Sequence, residues 1–219
     1  VATYRKKDNT LKYIFVAGAP GSKWSSVVKN IYYSPSIDHS DYSDERTYYH
    51  DASGSIQLMH LGAYFDPGME FGELCLRMPM YTKEQHEEAF DKAFAPDSTG
   101  VRIIKSHVFA HHINYIKETW PDCPIVLVHR DNDSCLGWWV KCGHFDITYP
   151  KYDIYYKDLR TMASIIDKQN TDIQDAIDKH KPFRVYNNSR LALILGIDSP
   201  PDEYKQSYIE NDIEVSVIC

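Results

Sequence analysis

The sequence predicts an α/β fold of three layers, α/β/α, around a central, mostly parallel sheet of about four to five strands. Three observations predict it. Short apolar runs rich in β-branched residues alternate with segments of helical spacing. The run 124–129 is almost entirely apolar, as a strand covered on both faces must be. A Gly-rich turn joins the first run to the first helix.

Taken in order, Tyr13-Ile14-Phe15-Val16-Ala17 is the first expected strand, and it ends in Gly18-Ala19-Pro20-Gly21-Ser22. Helical spacing then runs through Trp24, Val27, Val28 and Ile31. Residues 34–55, dense in Ser, Asp, Tyr and His, read as a long surface loop. Residues 56–81 are broken by Gly62, Pro67, Gly68, Gly72 and Pro79. A helix is expected from Lys83 to Phe94, a second strand over Val101 to Lys105, and a helix from His111 to Thr119. The third strand is Pro124 to His129, followed by a helix through Leu136, Trp139 and Val140 with Asp131 or Asp133 as its cap. Helical patterns resume from Tyr155 to His180. A strand at Phe183 to Tyr186, a helix from Ser189 to Leu195 and an acidic tail from Asp198, broken at Pro200-Pro201, complete the chain.

Composition bounds the function. With 219 residues, 43% hydrophobic and 25% charged, the chain suits one globular core, so a single domain over 1–219 is expected. A net charge of −7 disfavours a nucleic-acid partner. No apolar stretch approaches the roughly 20 residues of a membrane span, and Val1 to Asp8 has no apolar run behind it, so no signal peptide is expected. Cys75, Cys123, Cys135, Cys142 and Cys219 are scattered without a CxxC pair, which points to reduced thiols and a cytoplasmic location. The histidines, including His111-His112, complete no zinc ligand set, and no metal site is expected.

In a mostly parallel sheet, ligands bind at the carboxyl ends of the strands, which singles out the loops at 18–25, 105–109 and 129–134. In the first, glycines let successive N–H groups face an anion, and the following helix adds its positive end. Lys23 adds a cation, while Ser22, Ser25 and Ser26 add hydroxyls. Phosphate binding is favoured over a plain capped turn. The nucleoside-triphosphate pattern GxxxxGK[ST], counted from Gly18, would need Gly at 23 and Lys at 24. The chain has Lys23 and Trp24 there, which weakens a kinase reading.

The second loop is Lys105-Ser106-His107, and the third is His129-Arg130-Asp131-Asn132-Asp133-Ser134. A positioned imidazole can take a proton near neutral pH, and a strand-end lysine can offset charge on a leaving oxygen. A guanidinium can bind phosphate in a two-pronged fork, although an ion pair of Arg130 with Asp131 or Asp133 is the plainer alternative.

These loops, in this order, resemble those of sulfotransferases that use 3′-phosphoadenosine 5′-phosphosulfate (PAPS) and share the P-loop fold. The resemblance covers about residues 12–34 and 100–142, with a weaker echo at 183–197. It implies that Pro20, Gly21, Ser22, Lys23, Trp24, Ser25 and Ser26 hold the 5′-phosphosulfate and that Arg130 and Ser134 hold the 3′-phosphate. It further implies that Lys105 contacts the transferring sulfuryl group and that His107 is the base. Lys23 would supply a charge that the family carries two residues earlier: the usual basic position is Gly21, and Lys23 stands where Gly is usual. The family serine about two helical turns after the arginine is replaced by Trp138. The family's C-terminal Gly- and basic-rich segment is not recognisable, so the chain reads as a divergent, compact relative.

The resemblance implies PAPS as co-substrate, adenosine 3′,5′-bisphosphate as product and no metal. The acceptor would be a small molecule or glycan, over His107, walled by 35–80 and 144–156. The first wall and the helix before it hold Tyr32, Tyr33, Tyr42, Tyr48, Tyr49 and Tyr64, with Tyr81 just beyond. Aromatic walls suit a sugar, a phenol or a lipid face equally, so the acceptor is not identified. A homodimer is common among such enzymes. The rival readings are a small-molecule kinase using Mg-ATP and a nucleotide-binding relative without catalysis.

Overall fold

The computed structural model describes residues 11–41, 61–66, 72–141, 158–201 and 212–219. Most of the expected 34–55 loop, the N-terminal residues 1–10, Cys142, the 144–156 wall and the tail segment 202–211 lie outside the described residues, as do Tyr42, Tyr48 and Tyr49.

Strand β1 (Tyr13–Gly18) is fully buried and alternates between the two faces of a sheet. Ile14 and Val16 join one apolar cluster, while Tyr13, Phe15 and Ala17 join another. Helix α1 (Trp24–Tyr32) packs its Trp24, Val27, Val28 and Ile31 into the first cluster. After the short strand β2 (Ala63–Tyr64) come α2 (Gly72–Leu76), a 3₁₀ turn at Met78–Met80 and α3 (Lys83–Lys92). The start of α3 is a capping box: Thr82 Oγ1 accepts from Gln85 N, and Gln85 Oε1 accepts from Thr82 N.

Strand β3 (Arg102–Lys105) leads through a 3₁₀ turn (Val108–His112) into α4 (Ile113–Thr119). Strand β4 (Ile125–Arg130) follows, then α5 (Asn132–Lys141), with Asp131 as the cap: its Oδ1 accepts from Ser134 N at 2.8 Å. The long α6 (Leu159–His180), capped by Asp158, touches both apolar clusters. Strand β5 (Phe183–Val185), α7 (Asn188–Leu195) and strand β6 (Ile213–Ile218) complete the order.

The described residues therefore form an α/β fold with a mixed sheet of six strands in the order β2-β3-β1-β4-β6-β5. β2, β3, β1 and β4 run parallel, while β6 is antiparallel to both β4 and β5. Helices cover both faces: α1, α5 and α7 join the cluster of Ile14, and α3 and α4 join that of Phe15.

Two strands correct the expected four to five. β2 has two residues, too few for any periodicity to show. β6 arises inside the tail, where Ile213, Val215 and Val217 alternate with Glu214 and Ser216, a period-two pattern that the upstream prolines overshadow. It inserts between β4 and β5, so the late strand at Phe183 does not neighbour β4. Element ends shift slightly: α3 stops at Lys92 rather than Phe94, and the helix expected from His111 begins as a 3₁₀ turn at Val108.

Candidate functional site

Chain order reverses around β1, with β3 on one side and β4 on the other, so the loops leaving these three strands meet at one edge. Two hydrogen bonds tie them together. The His107 ring Nδ1 pairs with the carbonyl of Gly18, and Arg130 Nη1 donates to the carbonyl of Gly21 at 3.1 Å. The structure thus brings His107 and Arg130 to the Gly18–Lys23 turn.

The geometry of this turn explains its sequence. Gly21 has φ +79°, and a Cβ there would lie 2.0 Å from the backbone oxygen of Cys135 in α5. No side chain fits, so a basic residue cannot stand at this position. Lys23, the N-cap of α1, has φ 60° and ψ 26°, the left-handed region that favours glycine. The ammonium of Lys23 lies 4.7 Å from the centre of the Trp138 ring. The two departures from the resembled motif, Lys23 and Trp138, therefore touch one another. Lys141 approaches the same ring at 5.5 Å.

Helix α1 has no side chain capping its start and no acid in its first turn. Its leading N–H groups and its positive end are therefore directed at the turn. Ser22 is fully buried, and its Oγ has no hydrogen-bond partner. Pro20 is buried, whereas Ser25 and Ser26 are half-buried on the first turn of α1. Ser134 serves the cap of α5, where it faces Asp131.

His107 is almost completely buried. Its ring stacks on Trp24 at 4.0 Å between centres and meets Tyr64 edge-on at 5.8 Å. A carbonyl oxygen only accepts, so Nδ1 carries the proton and donates to Gly18, leaving the lone pair on Nε2. Burial holds the imidazole below its ordinary pKa; Asp66 and the Gly18 carbonyl oppose that, and Lys105 adds to it. The ring is therefore neutral at neutral pH with its basic nitrogen defined. Lys105, the last residue of β3, is fully buried, with its ammonium 5.7 Å from the Trp24 ring and 5.4 Å from the Tyr64 ring.

One residue of this cluster escaped the sequence reading. Asp66, just past β2, is fully buried. Its Oδ1 accepts from His107 N at 2.8 Å and Ser106 Oγ at 2.8 Å, and its Oδ2 accepts from Tyr64 OH at 3.1 Å. Both oxygens are engaged within the protein, which is the environment of a positioning carboxylate rather than a metal ligand. Among the described residues, no group of three or more His, Cys, Asp or Glu side chains is placed to hold a metal ion. No helix among them is long and apolar enough to cross a membrane. Compared with known proteins, the chain matches no family model, no curated protein and no solved structure.

Proposed function

We propose that this chain is a P-loop-type sulfotransferase: it binds PAPS at the edge formed by β1, β3 and β4 and transfers the sulfuryl group to an acceptor hydroxyl. The observation that carries the reading is the state of His107. Its Nδ1–H is committed to the Gly18 carbonyl and its Nε2 lone pair is defined, on the very turn that suits a phosphosulfate.

In this reading the leading N–H groups of α1, the Ser22, Ser25 and Ser26 hydroxyls and Lys23 receive the 5′-phosphosulfate. Arg130 receives the 3′-phosphate. Nε2 of His107 takes the acceptor proton as the new O–S bond forms. The S–O bond to the 5′-phosphate breaks, and its electron pair leaves with adenosine 3′,5′-bisphosphate. Lys105, its ammonium 5.7 Å from the Trp24 ring and 5.4 Å from the Tyr64 ring, contributes positive charge beside His107.

Calorimetric titration with adenosine 3′,5′-bisphosphate, run beside magnesium-ATP, tests the binding half. Affinity for the bisphosphate supports the reading, preference for magnesium-ATP moves it to a kinase, and binding of neither overturns it. An acceptor screen with PAPS tests the chemistry, with His107→Gln expected to lose about 10²–10⁴-fold in kcat.

A further inference from the structure

The contacts of Asp66 go beyond holding a loop. Among the described residues, the charged and titratable groups facing His107 are few. Lys105 precedes it on β3, Tyr64 stands at the end of β2, and Asp66 follows β2; α1 contributes the uncharged Trp24 and β1 the Gly18 carbonyl. Asp66 is thus the one negative charge turned on the imidazole from these elements. It holds His107 in two ways: directly, by the backbone N–H, and through Tyr64, whose hydroxyl it accepts and whose ring edge bounds the imidazole. Ser106 completes the frame, donating to Asp66 and accepting from Val108 N at 3.0 Å, so the turn that begins at His107 is pinned on both sides.

We infer that Asp66 is the positioning residue of the base: it fixes the place of His107 through the backbone and Tyr64, and it supplies the negative charge that faces the imidazole. This rests on the reading of His107 as the proton acceptor. The balance of charge follows from the chemistry. When Nε2 takes a proton, an imidazolium is created in a buried site beside Lys105, and a fixed carboxylate offsets it. Removing that charge weakens the base and moves its titration to lower pH, because Asp66 acts against the depression caused by burial.

The test is Asp66→Asn, with Ser106→Ala as its partner. Nitrogen-15 NMR of the histidine rings follows the titration of His107 without any substrate. In D66N the midpoint is expected to fall. In S106A, which keeps the carboxylate and loses a hydrogen bond, the midpoint is expected to stay. In turnover with PAPS, D66N is expected to lose about tenfold or more in kcat and to shift the acid limb of its pH profile downward. An unchanged midpoint in folded D66N overturns the inference. If D66N does not fold, the wild-type Asp66 carboxyl carbon-13 resonance takes its place: it must show an inflection where His107 titrates, and a flat trace there overturns the inference equally. A chain that never turns over PAPS, yet shows the midpoint shift, would defeat the sulfotransferase reading while leaving the Asp66–His107 coupling in place.

Discussion

The guanidinium of Arg130 holds Asp212 on one edge and the Gly21 carbonyl on another corner. Nε and Nη2 meet Asp212 Oδ2 at 2.7 and 2.5 Å, and Nη1 reaches Gly21 O at 3.1 Å. In the proposed function the edge bound to Asp212 is the fork that the 3′-phosphate would use, so carboxylate and ligand would compete for it. Asp212 lies just before β6, the strand absent from the sequence reading, and Asp212, not Asp131 or Asp133, forms the kind of ion pair that stood as the alternative to phosphate binding at Arg130.

Two opposite outcomes follow for calorimetry with adenosine 3′,5′-bisphosphate. Arg130→Ala is expected to weaken binding about tenfold or more, since a charge-assisted hydrogen bond is worth roughly 1.5–3 kcal/mol. Asp212→Asn is expected to tighten it by about three- to tenfold, because the fork is then free of a competing anion. Weaker binding in D212N would mean that Asp212 orients the guanidinium for the ligand rather than competing with it.

Two glycines, Gly21 packed against α5 and Gly137 within it, should respond oppositely to alanine. Gly21→Ala places a methyl group 2.0 Å from the Cys135 backbone oxygen at φ +79°. The clash and the backbone strain add, and a loss of about 3 kcal/mol is expected. Gly137 lies inside α5 with nothing within 4 Å of a Cβ. Gly137→Ala is expected to stabilise the chain by about 0.5–1 kcal/mol through helix propensity. Urea unfolding of both variants checks the pair; equal responses would contradict the close approach of α5 to the turn.

Much of this site is visible in the sequence because its parts are local. The apolar runs at 13–17 and 124–129, the glycines after the first, and the strand-end positions of His107 and Arg130 all follow from pattern and turn chemistry. The partners that complete the site are not local. Asp66 lies 41 residues from His107, and Asp212 lies 82 from Arg130. Asp66 sits in a stretch where Gly62, Pro67 and Gly68 suggest only irregular chain, and β2 is too short to announce a strand end there. The register of β6 against β4, which brings Ile213 opposite Arg130 and so carries Asp212 to the guanidinium, has no signature in either strand alone.

Stability should decline on mild acidification. His86, His107, His112 and His129 all lie below the ordinary 6.5, in each case chiefly through burial. Between 6.5 and their folded-state values the unfolded chain binds protons that the folded chain does not, so stability rises with pH in that window. Equivalently, stability present above pH 6.5 is lost as pH falls toward the folded values. Carboxylates act lower down. Burial pushes Asp38 and Asp91 upward, but hydrogen bonds to each outweigh it and leave both below the ordinary 3.8. Urea unfolding at pH 7.5, 6.5 and 5.5, about the ordinary histidine value, therefore isolates the histidines, and a flat profile would contradict their burial as neutral rings.

Lys23 combines the charge that the proposed function assigns to the 5′-phosphosulfate with a backbone conformation that a side chain resists, and substitution can separate the two. Lys23→Ala removes the ammonium and keeps a side chain at φ 60°. Lys23→Gly removes the same ammonium and relieves that strain, for a gain of up to about 1 kcal/mol in the fold. Lys23→Arg keeps a cation able to lie against Trp138. Binding of adenosine 3′,5′-bisphosphate, which retains the 5′-phosphate, should weaken alike in K23A and K23G and survive in K23R. Unfolding should rank K23G above K23A. Should K23A bind the bisphosphate as tightly as the wild type, Lys23 does not supply the charge missing at Gly21. The 5′-phosphate would then rest on the backbone donors of α1 and on the Ser22, Ser25 and Ser26 hydroxyls, and the contact of Lys23 with Trp138 would be structural.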